Sequence, residues 1–329
     1  MSAKQYIAAG CSSDMLRRHA FHPVFVDLFC GEGSMSNQAA RMGFKTVLTL
    51  DWDESCSPDF CCNILKVHDE HVFIKRMEAL IAEGYIIVMH ASPPCDQFSK
   101  MNTTGQKDIK KAMRIVEKSV EIMKRFSQIY TLENPMTGTL WDQPFSKSNF
   151  KIFHDVDYCA YGAIIRKTTR IVFSKKGFKR SVLPLRCPSQ DQCLSCFRDP
   201  RTGRRRHTSM TELGYNERIC IPPQLCVVLL SASLERAKRI ANDIADKMDA
   251  MPLCKRPRPV YKNEHGGRKK PNKRGGLQCE IHTRDSEQNA VSISVAEDDM
   301  RYDTRDTLEG IEENYVGLHD EDHDFADVD

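Results

Sequence analysis

At residues 24–34 the chain reads Val-Phe-Val-Asp-Leu-Phe-Cys-Gly-Glu-Gly-Ser. The first six residues predict a short buried strand of the parallel type, and the Cys-Gly-Glu-Gly-Ser segment predicts a tight turn. A helix is expected to follow over residues 35–41. Glycines in such a turn let the backbone approach a ligand, and the start of a helix offers free N–H groups. The stretch therefore predicts a cradle for a nucleotide cofactor, although Phe-x-Gly-x-Gly is shorter than the dinucleotide fingerprint.

A second predicted strand, residues 45–50, ends in Asp51-Trp52-Asp53. An acid at the end of the second strand is where the ribose hydroxyl pair of a nucleotide is usually bound. A helix cap or a turn is the alternative role for Asp51. Because the glycine turn precedes it, the sequence favours ribose binding.

A cysteine follows two prolines where residues 91–99 read Ala-Ser-Pro-Pro-Cys-Asp-Gln-Phe-Ser. The prolines stiffen this loop, and the apolar residues 85–89 before it predict a buried strand. A thiol at the carboxyl end of a strand is well placed to attack a bound ligand. A further apolar strand, residues 127–132, ends in Glu-Asn-Pro. Alone, Cys95 would be a packing residue and Glu133 part of a turn, but together they predict a nucleophile and an acid at neighbouring strand ends.

In this order, the motifs resemble those of the cytosine-5 DNA methyltransferases. The resemblance rests on Phe-x-Gly-x-Gly, Asp-Trp, Pro-Pro-Cys, Glu-Asn-Pro and the basic Arg-Lys-Thr-Thr-Arg of residues 166–170, and it covers about residues 22–175. The chain looks most similar to the short phage-, giant-virus- and protist-type members. It shares with them a Tyr-Cys-x-Tyr-Gly run from Tyr158 and an Ile-Pro-Pro-x-Leu-Cys segment at residues 221–226.

The resemblance implies a reaction and assigns residues to it. Cys95 would add as a thiolate to carbon 6 of a cytosine flipped out of the duplex, so that carbon 5 can accept a methyl group. Glu133 would hydrogen-bond the ring, and Arg170 would lie near the base and lower the pKa of the Cys95 thiol. The expected contacts to S-adenosylmethionine are Phe29, Gly31, Gly33, Asp51, Trp52, Asn63 and Pro93.

The fold class that the resemblance implies is α/β, a Rossmann-like S-adenosylmethionine-dependent methyltransferase fold. Its sheet is mostly parallel and doubly wound, with a small target-recognition insert and a reversed hairpin near residues 161–174. The chain departs from the family at Asn63, where an aspartate is expected, and at Arg166 and Thr168 in the basic motif. The C-terminal Gly-Asn-rich motif is not visible, and we expect residues 218–230 to replace it with a helix that packs on the sheet.

The expected domain organisation has five parts. Residues 1–20 are predicted to be flexible, and residues 21–250 are predicted to form the catalytic domain. Within it, residues 175–216 would be a short target-recognition module. A basic disordered arm is expected over residues 251–279, and an acidic disordered tail over residues 280–329.

Most of the 14 cysteines are expected to be reduced thiols, because the chain has the character of an intracellular α/β enzyme. Cys159 is among those interpreted as packing residues, with Cys61, Cys62, Cys220 and Cys226. One group differs, because its polar surroundings and Cys-x2-Cys spacing allow a structural zinc ion. The candidate ligands are Cys187, Cys193, Cys196 and His207, with free thiols in a loop as the alternative.

The charge distribution predicts a nucleic-acid partner. The basic arm carries a net charge of about +8 and the acidic tail about −14, so the rest carries about +9 of the overall +3. Phosphate contacts are expected from the arginines of the module and of the basic motif. The DNA-binding candidates are Arg166, Arg204, Arg205 and Arg206.

The expected partner is DNA, and the chain is expected to be a monomer. No membrane-spanning segment or signal peptide is predicted, so we expect an intracellular protein of the nucleus or of another viral or host nucleic-acid compartment. The basic arm could serve nuclear import, and contacts to histones, chromatin or an import receptor stay open.

Two alternatives remain from the sequence. RNA cytosine methylation would use the same machinery, although the Cys-Phe-Thr signature of the tRNA-acting relatives is absent. The other alternative is a nucleic-acid-binding regulator with a decayed methyltransferase fold, which retention of Cys95, Glu133 and the glycine turn argues against.

Overall fold

A central sheet of seven strands organises the protein, in the order β3-β2-β1-β4-β5-β7-β6. The computed structural model describes residues 1–100, 106–175, 185–214, 218 and 220–251. The strands of the sheet are β1 (Val24–Leu28), β2 (Thr46–Asp51), β3 (Phe60–Cys61), β4 (Ile87–Ala91), β5 (Ile129–Pro135), β6 (Phe153–Asp157) and β7 (Thr168–Phe173).

Seven helices lie within the described residues. They are α1 (Ala3–Ala8), α2 (Ser13–His19), α3 (Ser34–Arg41), α4 (Val72–Ala82), α5 (Ile109–Phe126), α6 (Pro144–Asn149) and α7 (Pro223–Asp249). A separate small hairpin pairs β8 (Phe197–Arg198) with β9 (Arg205–Arg206). None of the helices in this part of the chain is long and apolar enough to cross a membrane.

The strand order makes the sheet doubly wound. Strands β1 to β5 run parallel, and β7 runs antiparallel to both β5 and β6. The connection from β1 to β2 and the one from β4 to β5 move outward in opposite directions. Because such crossovers are right-handed, α3 and α5 cover opposite faces of the sheet. The predicted Rossmann-like fold is therefore confirmed, and the hairpin that ends it begins earlier than predicted, at Phe153.

Strand β1 lies at the centre of the core, and all five of its residues are buried. Its parallel partners are β2 on one side and β4 on the other. The chain reverses its winding direction between β1 and β4, and such a switch point opens a crevice at the carboxyl ends of the strands. The glycine turn after β1 and the Pro-Pro-Cys loop after β4 both lie at this crevice.

The N-terminal residues differ from the flexible segment that the sequence predicts. Helices α1 and α2 pack against α7, and the side chains of Tyr6 and Leu16 are buried. The Arg17 guanidinium pairs with both Asp246 and Asp249 of α7, at 2.7 Å each. The structure therefore corrects the prediction of a flexible N-terminal segment. Tertiary contacts hold these two short helices in place, and local sequence patterns do not reveal such contacts.

The expected helix near the C-terminal end of the domain is present as α7, which packs against α3 and contacts β4 and β5. Just before it, the backbone N–H of Ile221 donates to the Ser34 hydroxyl at 3.3 Å. The α7 segment thus covers the start of α3, beside the glycine turn. The basic arm and the acidic tail lie outside the described residues.

Candidate active site

A cavity of about 370 Å³ opens over the carboxyl ends of β1, β2, β4 and β5. This volume lies in the range of small-molecule binding sites. The residues that line the cavity include Asp27, Phe29, Gly31, Glu32, Asp51, Trp52, Asp53, Cys56, His90, Pro93, Cys95, Glu133, Lys167 and Ile221. The glycine turn and the Pro-Pro-Cys loop therefore face one space.

The glycine turn needs its glycines for different reasons. Gly31 has φ +47° and Gly33 has φ +76°, which is the left-handed region that glycine adopts without strain. A Cβ on Gly33 would come within 2.7 Å of the Asn37 side-chain nitrogen, whereas one on Gly31 would meet no protein atom within 4 Å. The lack of a side chain at Gly33 thus allows the turn to pass close to the first residues of α3. The lack of a side chain at Gly31 leaves open space at the cavity.

The Asp51 carboxylate is buried at the end of β2 and holds the turn in place. One of its oxygens accepts from the Gly31 backbone N–H at 3.0 Å, and the other accepts from the Asp53 N–H at 3.0 Å. Each oxygen can accept a second hydrogen bond. Next to it, Trp52 is 68% exposed and presents its indole at the cavity.

The predicted cofactor residues divide into those at the cavity and those beside it. Phe29, Gly31, Asp51, Trp52 and Pro93 line the cavity, whereas Gly33 supports the turn from behind.

Asn63 is not among the residues that line the cavity, and its contact to the cofactor stays a prediction. Its side-chain oxygen accepts from the Leu65 N–H at 2.9 Å and caps a short 3₁₀ turn. Asparagine is a preferred residue for such a cap, so local geometry accounts for its position.

Cys95 lies on the loop after β4, and its backbone carbonyl accepts from the Phe98 N–H at 3.0 Å. The Asn134 amide donates to the Pro93 carbonyl at 2.9 Å and ties this loop to β5. Burial raises the pKa of the Cys95 thiol, and the nearby Glu133 carboxylate raises it further. The Lys167 ammonium opposes both effects and favours the thiolate.

The Glu133 carboxylate is buried at the end of β5, with only 5% of the residue exposed. It accepts a hydrogen bond of 3.0 Å from the Tyr158 hydroxyl. The Lys167 ammonium lies 3.6 Å from the same carboxylate oxygen and 4.8 Å from the centre of the Tyr158 ring. Cys95, Glu133 and Lys167 therefore form one interacting group at the cavity.

The position of Arg170 differs from the prediction. Its guanidinium donates two hydrogen bonds to Asp155, at 2.6 and 2.9 Å, and stacks 3.8 Å from the Phe153 ring centre. Arg170 and Asp155 are direct partners across β6 and β7, which explains the pairing. Lys167, just before β7, is the cation beside Cys95.

His90 is a cavity residue that the sequence analysis missed. Its ring is buried, with Nδ1 2.7 Å from the Thr131 hydroxyl and Nε2 2.9 Å from the Ser92 hydroxyl. Burial lowers the pKa of His90 to about 4, so the ring is neutral at pH 7. A lone histidine inside the apolar run of β4 was the sequence signal that could have identified it.

On β1, burial raises the pKa of Asp27 to about 7.

The predicted zinc ligands come together in the described part of the insert. The His207 Nε2 atom lies 3.2 Å from the Cys193 sulfur and 3.7 Å from the Cys187 sulfur, and Cys196 lies 3.4 Å from the same ring. Cys159, interpreted from the sequence as a packing residue, joins this group. Zinc itself stays a prediction.

The predicted DNA-binding arginines do not share one environment. The Arg204 side chain is exposed. Arg205 donates to the backbone carbonyls of Cys193 and Cys196, and Arg206 pairs with Asp199 at 2.6 Å. Arg166 lies at 3.7 Å from the buried Asp157 carboxylate. Arg205 and Arg206 thus stabilise the insert itself, whereas Arg166 and Arg204 are exposed to solvent.

The sheet order, the glycine turn with its acidic residue and the cavity at the strand ends define a methyltransferase of the Rossmann-like class. Residues 24–134 match the sequence model described as C-5 cytosine-specific DNA methylase. Over these residues the chain is similar to the C-5 cytosine-specific DNA methylases.

Two proteins of similar sequence carry related descriptions. A protein of Frog virus 3 described as a probable DNA (cytosine-5)-methyltransferase is 27% identical over 227 residues, which are 62% of this chain and 97% of that protein. Type II methylase M.HgiDII of Herpetosiphon aurantiacus is 22% identical over 177 residues, half of each chain. The chain thus spans nearly all of the first relative and half of the second.

Likeness to solved structures is weak. A methyltransferase encoded within a prophage (E. coli) has a TM-score of 0.36 and 17% identity, covering 49% of this chain and 51% of that one. The Entamoeba histolytica methyltransferase EhMeth has a TM-score of 0.32 and 14% identity, covering 46% and 52%. The fold class follows from the strand order of the sheet.

Proposed function

We propose that this protein methylates carbon 5 of cytosine in DNA, with Cys95 as the nucleophile. One observation carries the proposal: Cys95 and Glu133 line the same cavity as the glycine turn and Asp51. A reacting base and a methyl donor could therefore meet there, above the carboxyl ends of β1, β4 and β5.

The residues at the cavity fit S-adenosylmethionine. When bound, this cofactor supplies an activated methyl group on a positively charged sulfur. Glu32, Asp51 and Asp53 give the cavity an acidic lining, which favours a cationic ligand. The Asp51 oxygens can each accept from a ribose hydroxyl, and the exposed Trp52 indole offers a flat surface for the adenine ring.

Cys95 starts the reaction, because carbon 5 of cytosine is a poor nucleophile until a group adds to carbon 6. The thiolate forms a bond from Sγ to carbon 6, and the electron pair of the ring double bond moves onto carbon 5 and the ring nitrogen. Carbon 5 then takes the methyl group from bound S-adenosylmethionine, and the electron pair of the broken carbon–sulfur bond stays on the cofactor sulfur. Transfer of the carbon-5 proton to water then restores the ring double bond, breaks the Sγ–carbon 6 bond and releases the Cys95 thiolate.

Glu133 and Lys167 adjust the charge around this step. Negative charge develops on the ring when Cys95 attacks, and the ring nitrogen neutralises it by taking up a proton from water. The N–H formed in this way donates a hydrogen bond to the Glu133 carboxylate. The Tyr158 hydroxyl holds the Glu133 carboxylate at 3.0 Å. Lys167, 3.6 Å from Glu133, favours the Cys95 thiolate over the thiol.

DNA is the proposed substrate, with the target base flipped into the cavity because its carbon atoms are inaccessible in a duplex. Exposed arginines of the insert, among them Arg198, Arg201 and Arg204, support phosphate contacts. A nuclear location is proposed only from the basic arm of the sequence, at residues 255–258 and 268–274.

The experiment that tests this function is covalent trapping on duplex DNA that contains 5-fluorocytosine. Fluorine at carbon 5 blocks the last elimination, so an active enzyme stays attached to the base. We expect an SDS-resistant adduct that requires S-adenosylmethionine and is lost in Cys95→Ser. Cys61→Ser, an exposed thiol on β3, is the control and should still form the adduct.

The same assay on RNA separates the alternatives. An adduct on RNA and none on DNA would replace the proposed substrate with RNA. No adduct on either nucleic acid, from a chain that still binds S-adenosylmethionine, would indicate a binding protein that no longer methylates.

A further inference from the structure

Five metal-ligating side chains from separate segments converge beside the catalytic domain. Cys159 lies in the 3₁₀ turn Tyr158–Tyr161 that follows β6, and the other four lie in the insert. Cys187 lies near the start of the described residues 185–214, Cys193 and Cys196 precede β8, and His207 follows β9. The β8–β9 hairpin therefore returns His207 to Cys193 and Cys196.

The distances within this group match those between the ligands of a tetrahedral zinc ion. With usual bond lengths, a zinc-bound sulfur and nitrogen lie about 3.6 Å apart. His207 Nε2 lies 3.2 Å from the Cys193 sulfur, 3.4 Å from the Cys196 sulfur and 3.7 Å from the Cys187 sulfur. The ligand atoms of Cys159, Cys187, Cys193 and His207 all lie within 4.8 Å of one another.

The insert has almost no apolar core apart from this group. Within the described residues 185–214, the buried apolar side chains are those of Cys187, Cys193 and Cys196. None of the larger apolar side chains in this described stretch is buried, and Leu194 is 99% exposed. A module this small usually needs a metal or a disulfide to hold its shape.

Backbone contacts fix both ends of the group. The Cys187 N–H donates to the Asp157 carboxylate at 3.0 Å, and the Ser195 hydroxyl donates to the Cys159 carbonyl at 2.9 Å. Arg205 donates to the carbonyls of Cys193 and Cys196, at 2.9 and 3.1 Å. These hydrogen bonds therefore hold the thiols close together without a disulfide bond between any two of them.

We propose that Cys159, Cys187, Cys193 and His207 bind a structural Zn²⁺ ion that joins the insert to the catalytic domain. Three thiolates and one imidazole form a usual donor set for a structural zinc site. Cys196, the fifth group, contacts the His207 ring and stays outside the tetrahedron. This assignment replaces Cys196 of the sequence prediction with Cys159.

Such a site would connect the insert to the catalytic carboxylate. Cys159 directly follows Tyr158, whose hydroxyl holds Glu133 at 3.0 Å. A metal ion on Cys159 would therefore fix the turn that positions Tyr158, as well as the exposed Arg204 of the hairpin. The zinc site can be tested separately from the proposed methylation of DNA, because metal content is measured without the reaction.

The test measures metal content of the full-length protein, purified under reducing conditions without added zinc, by inductively coupled plasma mass spectrometry. We expect one zinc per chain in the wild type and in Cys11→Ser, a buried cysteine outside the group. Cys159→Ser should lose most of this zinc, and Cys196→Ser should retain it. Replacement by Co²⁺ should give the visible absorption of a tetrahedral thiolate site, with weaker thiolate charge transfer in Cys159→Ser.

The opposite results are distinguishable. Loss of zinc in Cys196→Ser with retention in Cys159→Ser would return the ligand set to the insert alone and remove the proposed link. A folded wild-type chain that binds neither zinc nor Co²⁺ overturns the site. Disulfides among these cysteines, found by mass spectrometry after alkylation, would overturn it as well.

Discussion

The protonation state of the Cys95 thiol depends on charged side chains at the cavity. Burial and Glu133 raise the pKa of Cys95, and Lys167 opposes them. Because the thiolate is the nucleophile, kcat/KM for methyl transfer should rise as the pH increases through the pKa of the thiol. We expect Lys167→Met to move this rise to higher pH and to lower the rate at neutral pH. The pH profile of methyl incorporation into a DNA oligonucleotide measures the shift.

Arg170→Gln is the matched control for that experiment. This substitution removes the paired hydrogen bonds to Asp155, so it should lower the free energy of unfolding by about 2 kcal/mol. It should leave the midpoint of the pH profile where it is in the wild type. A profile that moves with Arg170→Gln and not with Lys167→Met would restore Arg170 as the cation that acts on Cys95.

Two buried groups at the cavity should give the stability of the protein opposing pH dependences. Burial lowers the pKa of His90 to about 4, so the unfolded chain binds this proton more readily and stability falls as the pH drops below about 6.5. Burial raises the pKa of Asp27 to about 7, so the folded chain keeps this proton and stability falls as the pH rises towards 7.

Single variants should separate these two contributions. Between pH 5 and pH 7, each group changes the free energy of unfolding by about 2 kcal/mol, with opposite signs. Relative to the wild type, His90→Gln should lose about 2 kcal/mol of stability between pH 5 and pH 7, and Asp27→Asn should gain about as much. Urea unfolding at both pH values measures the changes, and parallel curves for all three proteins would contradict the prediction.

At the scale of elements, the turn between β1 and α3 combines a structural glycine with a ligand-facing one. Gly33→Ala would place a Cβ 2.7 Å from the Asn37 side chain in the left-handed region, so it should lower stability by roughly 1–2 kcal/mol. Gly31→Ala meets no protein atom within 4 Å, but its methyl group would occupy space at the cavity. We expect the larger loss of S-adenosylmethionine affinity in Gly31→Ala and the larger loss of stability in Gly33→Ala. Calorimetric titration and urea unfolding of both variants would check this, and the reverse order would contradict it.

The sequence predicted the elements whose signals are local. Strand β1 is an apolar run, interrupted by Asp27, before two glycines. Cys95 and Glu133 also follow apolar runs, so their places near the strand ends could be inferred. The sequence could not show that Arg170 lies opposite Asp155, because pairing across β6 and β7 depends on strand register. It also could not assign Cys159 to the cysteine group, since 28 residues separate Cys159 from Cys187 and only the fold brings them together. Helices α1 and α2 were missed because their stability comes from α7, at the far end of the domain.

At the scale of the whole molecule, the charges of the chain are separated along the sequence. Residues 280–329 carry a net charge of about −14, and the preceding residues carry about +17. An acidic segment of this size can compete with DNA for a basic surface, because both offer dense negative charge. Its attraction to the rest of the chain should weaken as salt screens the charges.

Deletion of residues 280–329 should therefore tighten binding to duplex DNA of arbitrary sequence, most strongly at low salt. The shortened chain keeps every described residue, so its cavity and its affinity for S-adenosylmethionine should not change. Fluorescence anisotropy with labelled duplex between about 50 and 200 mM salt measures the effect, because affinity that depends on phosphate contacts falls steeply over this range. A control variant that replaces the tail with an uncharged Gly-Ser segment of equal length should bind as tightly as the deletion. Equal DNA affinity in the wild type and both variants at the lowest salt would show that the tail does not compete for the basic surface, and that its charge only aids solubility.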